Sequence, residues 1–372
     1  MTVFVCAGCG ATLTAPLSQV ALPLHAHQRY GNGVQLPVLM EPGTFAVELE
    51  PWGPPWRRWG DADPSQLAAR GIHAPVDRLS DGAPGAIVIA PRDTRGTLLI
   101  PEKSSGSCCG LDGADGPNMA CEACGLPVAS RIDDCSLWQA VWLTPNAVRR
   151  HPVVADADTA TGPQSWAELM AEGSAAPPHV PITSWGGRQL GLYHWWSWNP
   201  QWEAAAGRAL AHLLAASEGR PVSVPHGLTE EVFQRTLDAL LSTGAPMLRA
   251  VLAGPELPAP DADADILLVP DHPETGELWV PAGGTSAHLV PLPFEVWLWL
   301  AFPEPHLPAA PSPEALPGEV LRDDPPAPRP CRLFRIDAGV FRHTLVRLPA
   351  ARAPWLREIL ENVPKYVSTG LF

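Results

Sequence analysis

Two five-residue stretches, Cys6-Ala7-Gly8-Cys9-Gly10 and Cys121-Glu122-Ala123-Cys124-Gly125, decide how the first half of this chain is built. In each, two thiols stand three positions apart, a spacing that lets both sulfurs reach one ion. The glycine after the second cysteine tolerates a tight turn and lets backbone N–H groups approach sulfur closely. One such pair is weak evidence of a metal. Two of them, each with its trailing glycine, supply the four ligands that zinc takes in a tetrahedron. CxxC pairs in a reducing compartment point to metal rather than to disulfides.

Together the two stretches resemble the paired knuckles of the zinc-ribbon class. The resemblance covers only the knuckles themselves, which are separated by 111 residues, an unusually long insertion. It implies one structural zinc site made by Cys6, Cys9, Cys121 and Cys124. Three further cysteines leave a second wiring open. Cys109, Cys121, Cys124 and Cys135 would make one compact site, leaving Cys6 and Cys9 to pair with Cys108 or a histidine. His25 and His27 alternate, so on a strand both point to one face and could complete a second site. An all-thiolate site is electron-rich and closed, whereas a catalytic ion keeps an open position, so the expected role of zinc is structural. Thiol–disulfide cycling at Cys108–Cys109 or at a CxxC is the redox alternative.

Composition bounds the rest. With 372 residues, two domains are expected. Proline and glycine together make 77 residues, which predicts many loops and few long helices. The net charge is −14, and only Lys103 and Lys365 are lysines. Nucleic acid is therefore disfavoured as a partner, because a duplex-binding face must displace counterions from phosphates. The chain opens MTVFVCAGCG, without a basic segment followed by an apolar one, and no apolar run reaches about 18 residues. A cytoplasmic protein with no membrane contact is expected.

The fold class expected is α+β, with short antiparallel sheets and a few helices. Thr2–Val5, Gln19–Leu24, Thr44–Leu49 and Leu137–Leu143 read as strands. Ala86–Ala90 and Gly96–Ile100 read as a strand pair around Pro91–Arg95. Asp63-Pro64 opens a short helix stopped by Gly71, and another lies near Trp166–Met170. Asn199-Pro200 opens a longer helix with apolar positions from Trp202 to Leu214, ended by Gly219. A second amphipathic helix spans Glu230–Leu241, stopped by Gly244. Four parts follow: a zinc-binding α+β domain over 1–150, a second α+β domain over 180–302, a Pro-rich linker over 303–330 with ten prolines, and a C-terminal hairpin and short helix over 331–372. In that last part, Cys331–Ile336 pairs with Val340–Leu348 and the helix covers Pro354–Asn362.

Two stretches suggest an internal duplication. Ile87–Pro101 and Ile266–Pro281 share a pattern of apolar run, Pro-bounded turn and second apolar run. Each precedes an apolar strand with two tryptophans, Trp138 and Trp142 in one and Trp297 and Trp299 in the other. On this view zinc belongs to the first copy alone.

Other candidates have plain structural explanations. Asp112–Asn118 reads as a turn between metal ligands. Asp261, Asp263 and Asp265 lack the glycine and glutamate of a calcium loop. Glu102 and Lys103 read as a surface pair. His226, His288 and His343 read as scaffold histidines. Trp195, Trp196, Trp198 and Trp202, with Tyr193 and His194, line either a groove or a core; Trp52, Trp56 and Trp59 are a second aromatic patch. None of GxSxG, HExxH, GxxxxGK[ST] or GxGxxG is present. The function expected is a zinc-binding, non-catalytic binding or scaffold protein that meets a protein partner through Trp-rich surfaces. The rival is an enzyme taking a small molecule in a pocket between the halves, with Lys103, Asp112, His194 or His288 gathered there. A nucleic-acid-binding ribbon would need Arg57, Arg58, Arg149 and Arg150 on one face.

Overall fold

The computed structural model describes residues 1–30, 35–53, 56–58, 60, 63–76, 78–103, 110–153, 163–181, 196–242, 246–303, 330 and 332–372. Cys108, Cys109, Cys331, Trp59, Trp195, Tyr193, His194, Gly244 and the Pro-rich segment 304–329 lie outside those residues.

In the first half, β1 (Thr2–Cys6) pairs antiparallel with β11 (Val148–Pro152). Beside this pair lies a seven-stranded sheet. It is built from β2 (Ser18–Gln19), β3 (Thr44–Glu48), β6 (Ala86–Ile89), β7 (Thr97–Leu99), β8 (Met119–Cys121), β9 (Pro127–Ile132) and β10 (Ala140–Leu143). Its order is β2-β3-β6-β10-β9-β8-β7, antiparallel except between β2 and β3. Alternate residues point to opposite faces of a strand, so one sheet serves two small cores. Phe45, Ile87, Ile89, Val141 and Leu143 join Phe4, Cys6 and Cys121 on one side. Ala46, Val88, Ala90 and Ala140 join Leu36, Met40 and Trp138 on the other.

Between β3 and β6 the chain makes an excursion: β4 (Trp56–Arg58), α1 (Pro64–Ala69) and β5 (Arg78–Ser80). Helix α1 starts as expected, with the Asp63 carboxylate accepting from the Ser65 N–H and Pro64 in the first turn. Its Leu67, with Ile72, Ala74 and Leu79, packs into the core of the second half. The His73 N–H donates to the Val346 carbonyl at 2.7 Å. The excursion therefore ties the halves together.

The second half begins with α2 (Trp166–Glu172), β12 (His179–Pro181) and β13 (Trp196–Trp198). Helix α3 (Pro200–Ser217) follows, capped by Asn199 as expected. Then come β14 (Val222–Ser223), α4 (Leu228–Leu240), β15 (Leu248–Leu252), β16 (Ile266–Asp271), β17 (His288–Pro293), α5 (Phe294–Ala301), α6 (Ala338–Leu345) and α7 (Pro354–Ser368). Strands β14 to β17 form a four-stranded sheet in sequence order, parallel throughout. This corrects the expectation of antiparallel sheets alone. A parallel strand covered on both faces reads as a continuous apolar run, and Ile266-Leu267-Leu268-Val269 is one. Helix α3 packs against β17 and crosses α6 at Gly207, where an added Cβ would sit 2.7 Å from the Asp337 carbonyl oxygen.

The duplication does not hold. Ala86–Ile89 lies between two antiparallel neighbours, β3 and β10, and Thr97–Leu99 pairs with β8 elsewhere in the sheet. Ile266–Asp271 lies between two parallel neighbours, and its second run contributes only an isolated bridge between Asp271 and Leu278. Phe294–Leu300, expected as a strand, is helix α5. Its five buried residues among eight leave no periodicity to separate strand from helix. Val340–Leu348, expected as half of a hairpin, lies mostly in α6, whose N-terminus Asp337 caps through the Val340 N–H at 2.6 Å. Gln19–Leu24 keeps strand geometry only at β2. Among the described residues no helix is long and apolar enough to cross a membrane.

Candidate metal centre

Cys6 ends β1 and Cys121 ends β8, so each knuckle leaves a strand edge. The two turns are built alike. The Cys6 N–H donates to Ala11 and the Cys121 N–H to Leu126, both at 2.8 Å. The Gly10 and Gly125 N–H groups return to the carbonyls of Cys6 and Cys121 at 2.9 and 2.8 Å. Both glycines are left-handed, with φ of 78° and 76°, which is the role their position after the second cysteine required.

This brings Cys6, Cys9, Cys121 and Cys124 together, with all four sulfurs within 4.8 Å of one another. Cys6 and Cys124 are 3.6 Å apart and Cys9 and Cys121 are 3.7 Å apart. Four sulfurs about 2.3 Å from one zinc ion lie about 3.8 Å apart at the corners of a tetrahedron. A disulfide would need about 2.05 Å. The spacing is that of four ligands around one ion, and the residues fit zinc.

The electrostatics agree. Burial opposes ionisation of Cys6, but backbone N–H groups of Cys9 and Gly8 aimed at its sulfur outweigh it and bring its pKa down to about 7. At Cys124 the Leu126 N–H favours the thiolate, yet the sulfurs of Cys9 and Cys6 push the pKa up to about 12. Cys6 forms a thiolate readily and Cys124 beside it resists, and a cation among the sulfurs would favour the ionised form of both. Cys6 and Cys121 are buried, and Cys9 and Cys124 face solvent.

Of the wider ligand set, Cys135 is buried but is not one of the four clustered thiols, while Cys108 and Cys109 lie outside the described residues. The compact wiring of Cys109, Cys121, Cys124 and Cys135 fails at its centre, because Cys121 and Cys124 face Cys6 and Cys9. Among the described residues, neither His25 nor His27 joins a cluster of cysteines. His25 and His27 lie at a turn rather than on a strand. His25 packs on Trp138 with ring centres 4.7 Å apart. His27 stacks on Trp52 at 3.7 Å and meets the Glu48 carboxylate at 2.7 Å.

The remaining candidates scatter. The Lys103 ammonium donates to the Asp115 carbonyl at 3.3 Å, and Asp112 accepts from the Ala114 N–H, closing the expected turn. Asp261 and Asp263 pair with Arg249 on the surface. A surface cavity of about 460 Å³ beside them has Asp261 as its sole titratable lining residue. Lys103 and Asp112 thus meet the same loop of the first half, His288 starts β17 in the second, and His194 lies outside the described residues. Trp198 and Trp202 are core residues, with their indole N–H groups donating to the Arg332 and Ala176 carbonyls. Trp52 and Trp56 are 45% and 40% exposed, with ring centres 6.1 Å apart and planes at 82°.

A set of residues that local patterns did not single out lies where the halves meet. Tyr30 Oη donates to Glu203 Oε2 at 2.7 Å. The Asp337 N–H donates to the Glu203 carbonyl at 3.0 Å. Arg347 on the turn after α6 donates through Nε to Glu50 at 2.7 Å. These positions are isolated in sequence, so no spacing could announce them.

No protein-family model, curated protein or solved structure matches the chain.

Proposed function

We propose that this chain is a zinc-stabilised, non-catalytic binding protein of zinc-ribbon type in its metal centre. The observation that carries this is the set of four thiols at the spacing of a sulfur tetrahedron. Zinc there clips the β1 knuckle to the β8 knuckle across 111 residues of intervening chain. Four thiolates fill its coordination and leave no position for substrate. The binding face is the perpendicular pair Trp52 and Trp56, large apolar rings left half-exposed beside Arg57 and Arg58. Exposed tryptophan with flanking arginine is the composition of interface hot spots, and a protein partner in the cytoplasm is the counterpart this reading assigns.

Cobalt substitution tests the centre: the expected spectrum is tetrahedral with strong sulfur charge-transfer bands. Octahedral cobalt without those bands would overturn the thiolate assignment. For the surface, the wild type should retain a partner in cross-linked cell extract that the Trp52→Ala/Trp56→Ala variant loses. Equal retention by both, or a clean monomer with no partner, would remove the tryptophan face.

A further inference from the structure

The four sulfurs of the metal centre are not alike. Cys6 and Cys121 close strands β1 and β8 and are buried, whereas Cys9 and Cys124 stand on the turns and face solvent. Short contacts run from one knuckle to the other. Cys6 meets Cys124 at 3.6 Å, and Cys9 meets Cys121 at 3.7 Å. Each of these contacts joins an exposed sulfur to a buried sulfur of the opposite knuckle. The Cys124 sulfur also lies over the first knuckle's turn, since an added Cβ at Gly8 would sit 3.5 Å from it and 3.7 Å from the Cys6 sulfur.

Sulfurs that hold zinc are thiolates. The thiolate is the form that a peroxide oxidises, most readily where it is exposed. Closed coordination keeps substrate from the ion, yet it leaves Cys9 and Cys124 open to solvent. An oxidised sulfur is resolved as a disulfide only when a second thiolate stands beside it. For Cys124 that neighbour is Cys6, and for Cys9 it is Cys121. We propose that the four-cysteine centre is a peroxide-responsive site, in which Cys9 and Cys124 are oxidised, Cys121 and Cys6 resolve them, and bound zinc is exchanged for two disulfides that join the knuckles, a reading that rests on the zinc centre proposed above.

The Cys124 thiolate attacks one oxygen of hydrogen peroxide, the O–O bond breaks, and a sulfenic acid forms as hydroxide leaves. The Cys6 thiolate then attacks that sulfur. An S–S bond forms, the S–O bond breaks, and a second hydroxide leaves, so two electrons pass from the sulfur pair to one peroxide. Cys9 and Cys121 repeat the sequence with a second peroxide. The sulfurs close from their present contacts to the bonded distance of about 2.05 Å. Disulfide sulfurs carry no negative charge, so the four ligands are lost and the ion is released. Pairing across the knuckles has a structural consequence. It keeps β1 tied to β8 after the ion has gone, which a disulfide inside each CxxC turn would not do.

Titration of the full zinc-loaded chain with hydrogen peroxide tests this without any variant. A chromogenic chelator reads released zinc, and fragmentation mass spectra of the unreduced digest read the linkages. The expected result is loss of the bound zinc together with Cys6–Cys124 and Cys9–Cys121 disulfides. Amides of β1 and β8 should keep their exchange protection in the oxidised, zinc-free chain. Zinc that stays bound at excess peroxide would overturn the proposal and leave the zinc centre standing. So would Cys6–Cys9 and Cys121–Cys124 linkages, sulfinic acids in place of disulfides, or loss of protection in β1 and β8 once the disulfides have formed. Protein that holds no zinc before peroxide is added would overturn the centre itself, and the exchange with it.

Discussion

The two halves of this molecule solve the problem of stability differently. The second half has one large core, in which α3, α4 and α5 lie against a parallel sheet, α6 packs on α3, and Trp202, Phe233, Trp297 and Phe341 are buried, with a smaller cluster of Ala253, Leu267 and Val269 beside it. The first half splits most of its apolar residues between two small clusters on opposite faces of one sheet, and lends Leu67, Ile72, Ala74 and Leu79 to the large core. Small cores bury too little apolar surface to offset chain entropy alone. Two cysteines of the metal centre, Cys6 and Cys121, belong to one of those clusters. The comparison places the four-cysteine cluster, which could hold a metal ion such as zinc, in the half whose own apolar clusters are small.

The largest effect should come from breaking the clip. Structural zinc contributes about 10–16 kcal/mol in small zinc-folded peptides. Chelation, or Cys121→Ser, should abolish exchange protection in β8, β9 and β1 while α3 and β16 stay protected. Loss of protection in both halves together would show that they fold as one unit and would end the contrast. Metal affinity should also fall in acid, because the ligands bind as thiolates and protons compete for them.

The converse substitution is Trp297→Ala. This ring is fully buried, its N–H donates to the Ala253 carbonyl at 3.1 Å, and it lies against Gly254. Removing it should cost about 3–5 kcal/mol by denaturant unfolding of the second half, with zinc content unchanged. Gly207→Ala should cost about 1–3 kcal/mol, because the new methyl presses on the Asp337 carbonyl and forces α3 from α6. Asn199→Ala removes the cap that accepts the Gln201 N–H and should cost about 1 kcal/mol. A cap variant that destabilised the first half more than the second would show coupling across the seam stronger than the two-core description allows.

Short-range signals carried most of what the sequence disclosed. Asp63-Pro64 and Asn199-Pro200 mark helix starts because a cap side chain and a fixed proline φ act within two residues. The knuckles were legible for the same reason, since CxxCG geometry is complete in five residues. That the two knuckles close on each other followed from zinc's need for four ligands, not from any signal in the 111 residues between them. The failures share a cause. Phe294–Leu300 is apolar at every position but Glu295, and its N-cap, Pro293, makes no side-chain bond. At Asp337-Ala338-Gly339, a glycine obscured a real cap. The parallel arrangement of β14 to β17 and the Tyr30–Glu203 contact depend on chain segments far apart, which local patterns do not encode.

The central claim is that the first half is organised by one zinc ion held by Cys6, Cys9, Cys121 and Cys124. Metal analysis of protein purified without added zinc tests it most directly, with Cys124→Ser measured beside the wild type. The expected result is one zinc per wild-type chain and a clear loss of bound zinc in the variant. Wild-type protein with no zinc, or a variant that keeps the full wild-type content, would contradict the account.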